Sequence, residues 1–311
     1  MTKYIVSGYI GFDNFGDEAI AKVLTEKLKI LNAEKITLIS SNPEKSAKLY
    51  GVEACSMLKF FGALKNSDVL VSGGGSLLQD VTSLKSLIYY LGVIYAALFM
   101  RKKVIIFAQG IGPINSSAGK FLTGLALRHA EKISVRDKKS QELLKSWGIT
   151  SELVKDPILE LNLPIKNKKG IVGVQLRNYP TLTETFLNNL ADEIVKRFSD
   201  KKVQIFSFQD NIDLDTCDKF ARTLNKKGFK NVEVFKKLSI NEVFDKISEL
   251  EYMIGMRFHA NVVAIKSGVK TLAINYDVKV KKLAQEYNLP LIELNQKDFS
   301  KEFEQLVETK V

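Results

Sequence analysis

Apolar residues along this chain gather into short runs, each followed by a longer stretch in which they recur every three or four positions. The short runs suit strands buried on both faces, and the longer stretches suit helices with one apolar stripe. This pattern predicts strands at 4–7, 36–40, 69–72, 104–109 and 132–135, with helices at 18–31, 43–49, 77–100 and 118–129. A polar, unperiodic stretch at 161–169 contains Pro164 and reads as a linker. A second series follows, with strands at 171–176, 203–207, 232–235, 252–255 and 271–274. Its helices are predicted at 181–198, 213–227, 240–248, 259–267 and 278–287, and an amphipathic segment closes the chain at 298–308. Strand–helix alternation predicts an α/β protein of two doubly wound, Rossmann-like domains facing a cleft, with ligands at the carboxyl ends of the strands. The expected boundaries are 1–163, 170–295 and a closing helix at 296–311 that packs back on the body.

Composition narrows the class. At 45% hydrophobic residues the 311-residue chain reads as soluble and globular. The formal charge of +11 is scattered along amphipathic stretches and forms no dense arm with interleaved aromatics. Nucleic acid is therefore not the expected partner; small anions, anionic lipids and phosphorylated substrates fit better. Cys55 and Cys217 lie far apart without a CxxC pattern, so neither a disulfide framework nor a zinc site is expected. That points to a reducing cytoplasm, and the chain runs from Met1 into its first strand without an evident leader. The longest apolar run, 87–100, is short of the roughly 20 residues that span a bilayer. It reads as a buried helix. A second reading has it touching a membrane surface, with Arg101, Lys102 and Lys103 near anionic headgroups.

Four glycine-bearing segments follow strands. In the first, Gly8, Gly11 and Gly16 flank Asn14, Asp17 and Glu18 at the start of a helix. A helix cap would account for Asp17, leaving Asn14 and Glu18 to bond sugar hydroxyls; acids oppose an anion there. In the second, Gly73, Gly74, Gly75 and Ser76 allow either anion binding at a helix start or close packing. In the third, Gln109 precedes Gly110-Ile111-Gly112-Pro113, either a plain turn or a strand end that bonds a ligand. The fourth, Gly255-Met256-Arg257-Phe258-His259-Ala260, puts an arginine and a histidine at a strand end and helix start. A helix N-terminus disfavours imidazolium, so His259 suits proton transfer or hydrogen bonding. Lys279 follows the next strand, Arg177 ends strand 171–176, and Arg136 ends a strand of the first domain. Arginine, histidine and lysine without a carboxylate mate suit a small, multiply charged anion and no metal.

Together with Ser134-Val135-Arg136-Asp137 and Asp156-Pro157, these segments resemble the polysaccharide pyruvyl transferase family, in the family's order over nearly the whole chain. The likeness is greatest to the bacterial branch acting on secondary cell-wall polysaccharide precursors. The resemblance implies a glycosyltransferase-B-like fold and phosphoenolpyruvate as co-substrate, with no metal or nucleotide cofactor. It also implies a pyruvate ketal on a sugar of a lipid-linked glycan, formed at the inner face of the membrane. The family's histidine and lysine fall on His259 and Lys279. Asp277-Val278 stands where members often have Asp-Pro, and Phe258 where leucine is common. On this reading Arg257, Lys279, Arg177 and Arg136, with Gly74, Gly75 and Ser76, bind the donor. Asp13, Asn14, Asp80 and Gln109 bind the acceptor, and Asp17 or Glu18 is a base. Two rivals share the fold or the charge: a nucleotide-sugar glycosyltransferase and a non-enzymatic protein that binds anionic glycans.

Overall fold

Each sheet is built from strands whose inner positions are almost uninterruptedly apolar, such as Ile5 and Val6, or Val172 and Val174, all buried. In the computed structural model every residue is described except Thr82, Asn162, Pro164, Lys310 and Val311. Two units separate, Met1–Leu161 and Asn162–Val311. Of the linker expected at 161–169, Asn162 and Pro164 lie outside the described residues, as do the last two residues of the closing segment.

The first unit runs β1 (Lys3–Ser7), α1 (Phe15–Ile30), β2 (Lys35–Ile39), α2 (Pro43–Tyr50), β3 (Glu53–Cys55) and α3 (Phe60–Lys65). It continues with β4 (Val69–Gly73), α4 (Leu84–Phe99), β5 (Lys103–Gln109), α5 (Ser117–Arg128), β6 (Lys132–Val135), α6 (Lys138–Ser146) and β7 (Glu152–Leu153). Among the described residues these strands form one parallel sheet in the order β3-β2-β1-β4-β5-β6-β7. The chain order reverses between β1 and β4, the kind of point at which open α/β sheets bind ligands beyond the carboxyl ends of their strands.

The second unit repeats the scheme with β8 (Ile171–Gln175), α7 (Glu184–Phe198), β9 (Lys202–Phe206), α8 (Asp210–Lys226), β10 (Val232–Phe235) and α9 (Ile240–Ser248). Then come β11 (Tyr252–Gly255), α10 (Phe258–Lys266), β12 (Lys270–Asn275), α11 (Val278–Glu286), β13 (Leu291–Glu293) and α12 (Ser300–Glu308). Its parallel order is β10-β9-β8-β11-β12-β13, with the reversal between β8 and β11. Phe303 and Leu306 of α12 join this unit's own core beside Phe198.

Helix starts follow local chemistry. Asn14, Asn42, Asp137, Thr183 and Asp277 accept backbone N–H bonds as caps, and Ser239 forms a reciprocal box with Glu242. One predicted helix is corrected: the run from 77 becomes helical only at Leu84. Before it, Gly110 N–H donates to the Gly75 carbonyl and Gly112 N–H to the Leu78 carbonyl, so this stretch is tied to the end of β5. The short elements β3, α3, α6, β7 and β13 escape the periodicity, because they bury too few side chains to set a period.

Candidate active site

In the second unit the reversal point gathers the basic residues. Gly255 pairs with Gln175 on one side and Ala273 on the other, so β8, β11 and β12 end side by side. Arg177 leaves β8, Arg257 and His259 leave β11, and Lys279 opens α11 after β12. The Arg177 guanidinium stands 5.1 Å over the Tyr276 ring and donates from Nη1 to its hydroxyl at 3.4 Å. Residues after β8 and β12 therefore meet across the end of β11, where His259 sits half-buried against Phe258 in the first turn of α10. Lys279 is half-buried, and its backbone N–H donates to the Asp277 cap at 2.8 Å. Gly255 permits a close approach here: a Cβ would lie 2.1 Å from Asn261 Oδ1. Asn261 turns back to donate to the Gly255 carbonyl at 3.0 Å and fixes the angle at which α10 leaves the strand.

Arg257 does not stand as expected. It is buried, and its Nε and Nη2 donate to Asp213 of α8 at 2.8 and 2.7 Å. Nη2 also donates to Gln209 Oε1, while its backbone N–H donates to Gln175 Oε1. Asp213 in turn accepts from the backbone N–H groups of Phe208 and Gln209. The expected absence of a carboxylate mate is thus overturned. A buried guanidinium demands a counter-charge, and Asp213, forty-four residues away in sequence, supplies it. Sequence reading missed Asp213, Gln175, Gln209 and Tyr276. Only Tyr276, directly before Asp277-Val278, carried a signal that could have been used.

At the first unit's reversal point the acids are largely engaged. Asn14, not Asp17, caps α1 through Oδ1, and Asp17 follows in the first turn. Glu18 is buried; its carboxylate accepts from Gly11 N–H at 2.7 Å and from the Tyr50 hydroxyl. Burial pushes the Glu18 carboxyl up, only partly offset by those two donors, and the nearby Glu18 charge adds to burial in pushing the Tyr50 hydroxyl up. Asp13 is exposed in a left-handed conformation and pairs with Lys45. Beside it an exposed Phe12 stacks on Tyr9 at 4.2 Å, an aromatic pair the motif reading passed over.

The glycine run serves packing. A Cβ on Gly74 would lie 2.0 Å from Ile20 Cγ2, and one on Gly75 would lie 2.7 Å from Asp17 Oδ1. With α4 starting at Leu84, no helix N-terminus follows Gly74, Gly75 and Ser76 directly, which corrects the helix-start form of the anion reading. Ser76 accepts from Arg136 Nη2 at 3.0 Å, and Arg136 forms a buried ion pair with Asp156 at 2.7 Å. Gln109 is fully buried and donates to Ser72 Oγ at 2.8 Å. Asp80 accepts from the backbone N–H groups of Asn115 and Ser116, which hold its carboxyl below the usual range. Among the described residues no group of three or more His, Cys, Asp or Glu side chains is placed to hold a metal ion.

The family model for polysaccharide pyruvyl transferase matches residues 14–278. No curated protein matches the chain. Among solved structures, Anabaena HepE with UDP and glucose is 10% identical at a TM-score of 0.66, covering 99% of this chain and 90% of that one. The Staphylococcus aureus MnaA–UDP structure is also 10% identical, at a TM-score of 0.66, covering 99% and 89%. The Neisseria meningitidis UDP-GlcNAc 2-epimerase bound to UDP-GlcNAc is 12% identical at 0.65, covering 98% and 91%. Likeness at such low identity concerns the fold, which is glycosyltransferase-B-like, with two parallel-strand sheets flanked by helices.

Proposed function

The chain belongs to the polysaccharide pyruvyl transferase family, and from that premise we propose that it transfers pyruvyl from phosphoenolpyruvate to two hydroxyls of one sugar. The acceptor on this reading is a lipid-linked surface or cell-wall glycan, met at the inner face of the membrane. The observation that carries the donor assignment is the Arg177–Tyr276 contact, which draws two strand ends together over the one that bears His259.

Arg177, His259 and Lys279 face the phosphate and carboxylate of the donor, where charge-assisted bonds are the strong ones. Arg257 acts mainly as a positioning residue: Asp213 holds its Nε and Nη2, and its backbone is pinned to Gln175. A proton passes to the methylene carbon of phosphoenolpyruvate, leaving an oxocarbenium-like C2 to which the first sugar hydroxyl adds, its own proton returning to the group that delivered the first. The C2–phosphate bond then breaks, and the second hydroxyl closes the ketal with its proton going to phosphate. His259 delivers the first proton or holds the phosphate as imidazolium.

Acceptor recognition belongs to the loop after β1. Phe12 stacked on Tyr9 offers an apolar face for a pyranose ring, with Asp13 and Asn14 beside it and Asp17 as the candidate base. Glu18 fits that role less well, since its oxygens are bonded to Gly11 and Tyr50 inside the unit. The test is phosphate release from phosphoenolpyruvate against lipid-linked and aryl-tagged disaccharides, with the ketal identified by mass. Release with at least one acceptor is expected. Release with none, together with turnover of a nucleotide sugar, would overturn the assignment.

A further inference from the structure

The first unit carries a helix that is apolar on both sides. Leu87, Tyr90, Leu91 and Ile94 of α4 enter the core, while Leu84, Ile88 and Phe99 point outward, Phe99 being 90% exposed. A helix apolar all round is ordinarily covered on every side. At sixteen residues α4 is about 24 Å long, and no helix among the described residues is long and apolar enough to cross a membrane.

Its neighbours extend the same surface. The steps β3 to β4, β4 to β5 and β5 to β6 all run one way along the sheet, so right-handed crossovers put α3, α4 and α5 on one face. All three send side chains into a single core cluster. Tyr95 of α4 donates to the Leu122 carbonyl of α5, and Lys102, just after α4, donates to the carbonyls of Lys65, which ends α3, and Ser67 beyond it. Outward from this layer stand Leu58, which is 98% exposed, Phe61 and Phe121.

The charge on this layer has one sign. Between residues 57 and 128 the chain has eight lysines and arginines and only two carboxylates, Asp68 and Asp80. Both are occupied: Asp68 accepts from Lys3 N–H, and Asp80 from Asn115 and Ser116. Lys59, Lys65, Lys85 and Lys120 are exposed among the apolar side chains. The Arg101-Lys102-Lys103 triplet contributes less than its sequence promises, because Lys102 bonds carbonyls and Lys103 pairs with Glu131.

We infer that the α3–α4–α5 face, with Leu58, Phe61, Ile88, Phe99 and Phe121 inserted and Lys59, Lys85 and Lys120 at headgroup level, docks this protein flat on an anionic lipid bilayer. Exposed apolar groups interleaved with cations match the boundary between acyl chains and anionic headgroups. A second copy of the chain on this face would set lysines against lysines. The inference rests on surface chemistry in the first unit and is independent of the donor assignment.

Co-sedimentation of the full chain with vesicles tests it, using phosphatidylglycerol mixed into phosphatidylcholine against phosphatidylcholine alone, without glycan or phosphoenolpyruvate. Wild type pellets with the anionic vesicles and is released by salt. Replacing Leu58, Phe61, Ile88, Phe99 and Phe121 together by Ser lowers vesicle affinity at least about tenfold. Lys59→Gln, Lys85→Gln and Lys120→Gln together lower it about a hundredfold. Unchanged melting temperatures show that both variants fold. Wild type left in the supernatant with anionic vesicles overturns the inference, as does equal binding to phosphatidylcholine alone. So does a wild-type dimer that the Ser variant converts to monomer without any vesicle binding.

Discussion

The two reversal points share a topology and use it differently. After β1 and β4 the chain spends its special residues on itself: Gly74 admits Ile20, Asn14 caps α1, and Glu18 bonds Gly11 and Tyr50. After β8, β11 and β12 one ion pair, Arg257–Asp213, is buried, and Arg177, His259 and Lys279 are half-buried at the carboxyl ends of these strands. Glycine density therefore marks where helices pack closely on strands. Cations kept at strand ends over a buried, pinned arginine mark the better candidate for chemistry.

On that contrast, substitutions at the half-buried strand-end residues of the second unit should register in turnover, and those that break a buried pair or fill a packed glycine should register in stability. His259→Ala should cut phosphate release from phosphoenolpyruvate by about a hundredfold to ten-thousandfold with melting unchanged. Near wild-type turnover would remove His259 from the reaction. Asp213→Ala leaves the Arg257 guanidinium buried without its counter-charge and should cost about 3–5 kcal/mol in denaturant titrations. A loss in turnover with no loss in stability would instead make Asp213 part of the chemistry.

Gly74→Ala should cost about 2–4 kcal/mol, because the backbone is left-handed at φ 63° and Ile20 fills the space. Enhanced donor binding by that variant would break the packing account. Glu18→Gln is the smallest and is read against pH. The raised carboxyl favours the neutral form in the folded state, so its contribution is full at low pH and is lost as pH rises through the raised value. The melting temperature of the Gln variant relative to wild type should therefore climb as pH rises from the ordinary glutamate range of about 4. A flat difference would mean that Glu18 ionises as in the unfolded chain.

Much of this was legible in the sequence because buried parallel strands and amphipathic helices are periodic. Strand 132–135 and the elements leading to Arg257 and Lys279 follow directly from that pattern. What periodicity cannot show is which side chains are already engaged. Nothing near Arg257 in sequence announces Asp213, and Asn14, Asp17 and Glu18 look alike until the helix start selects Asn14 as its cap. The start of α4 was misplaced for a related reason: Leu77 and Leu78 are buried by loop contacts, which resemble a helical stripe on paper.

The central claim is that the β8, β11 and β12 strand ends bind phosphoenolpyruvate. Calorimetric titration of wild type and Arg177→Ala with phosphoenolpyruvate and with UDP tests it most directly. Wild type should bind phosphoenolpyruvate and give no heat with UDP, and Arg177→Ala should weaken donor binding at least about tenfold. Binding of UDP without phosphoenolpyruvate, or donor affinity untouched by Arg177→Ala, would contradict it.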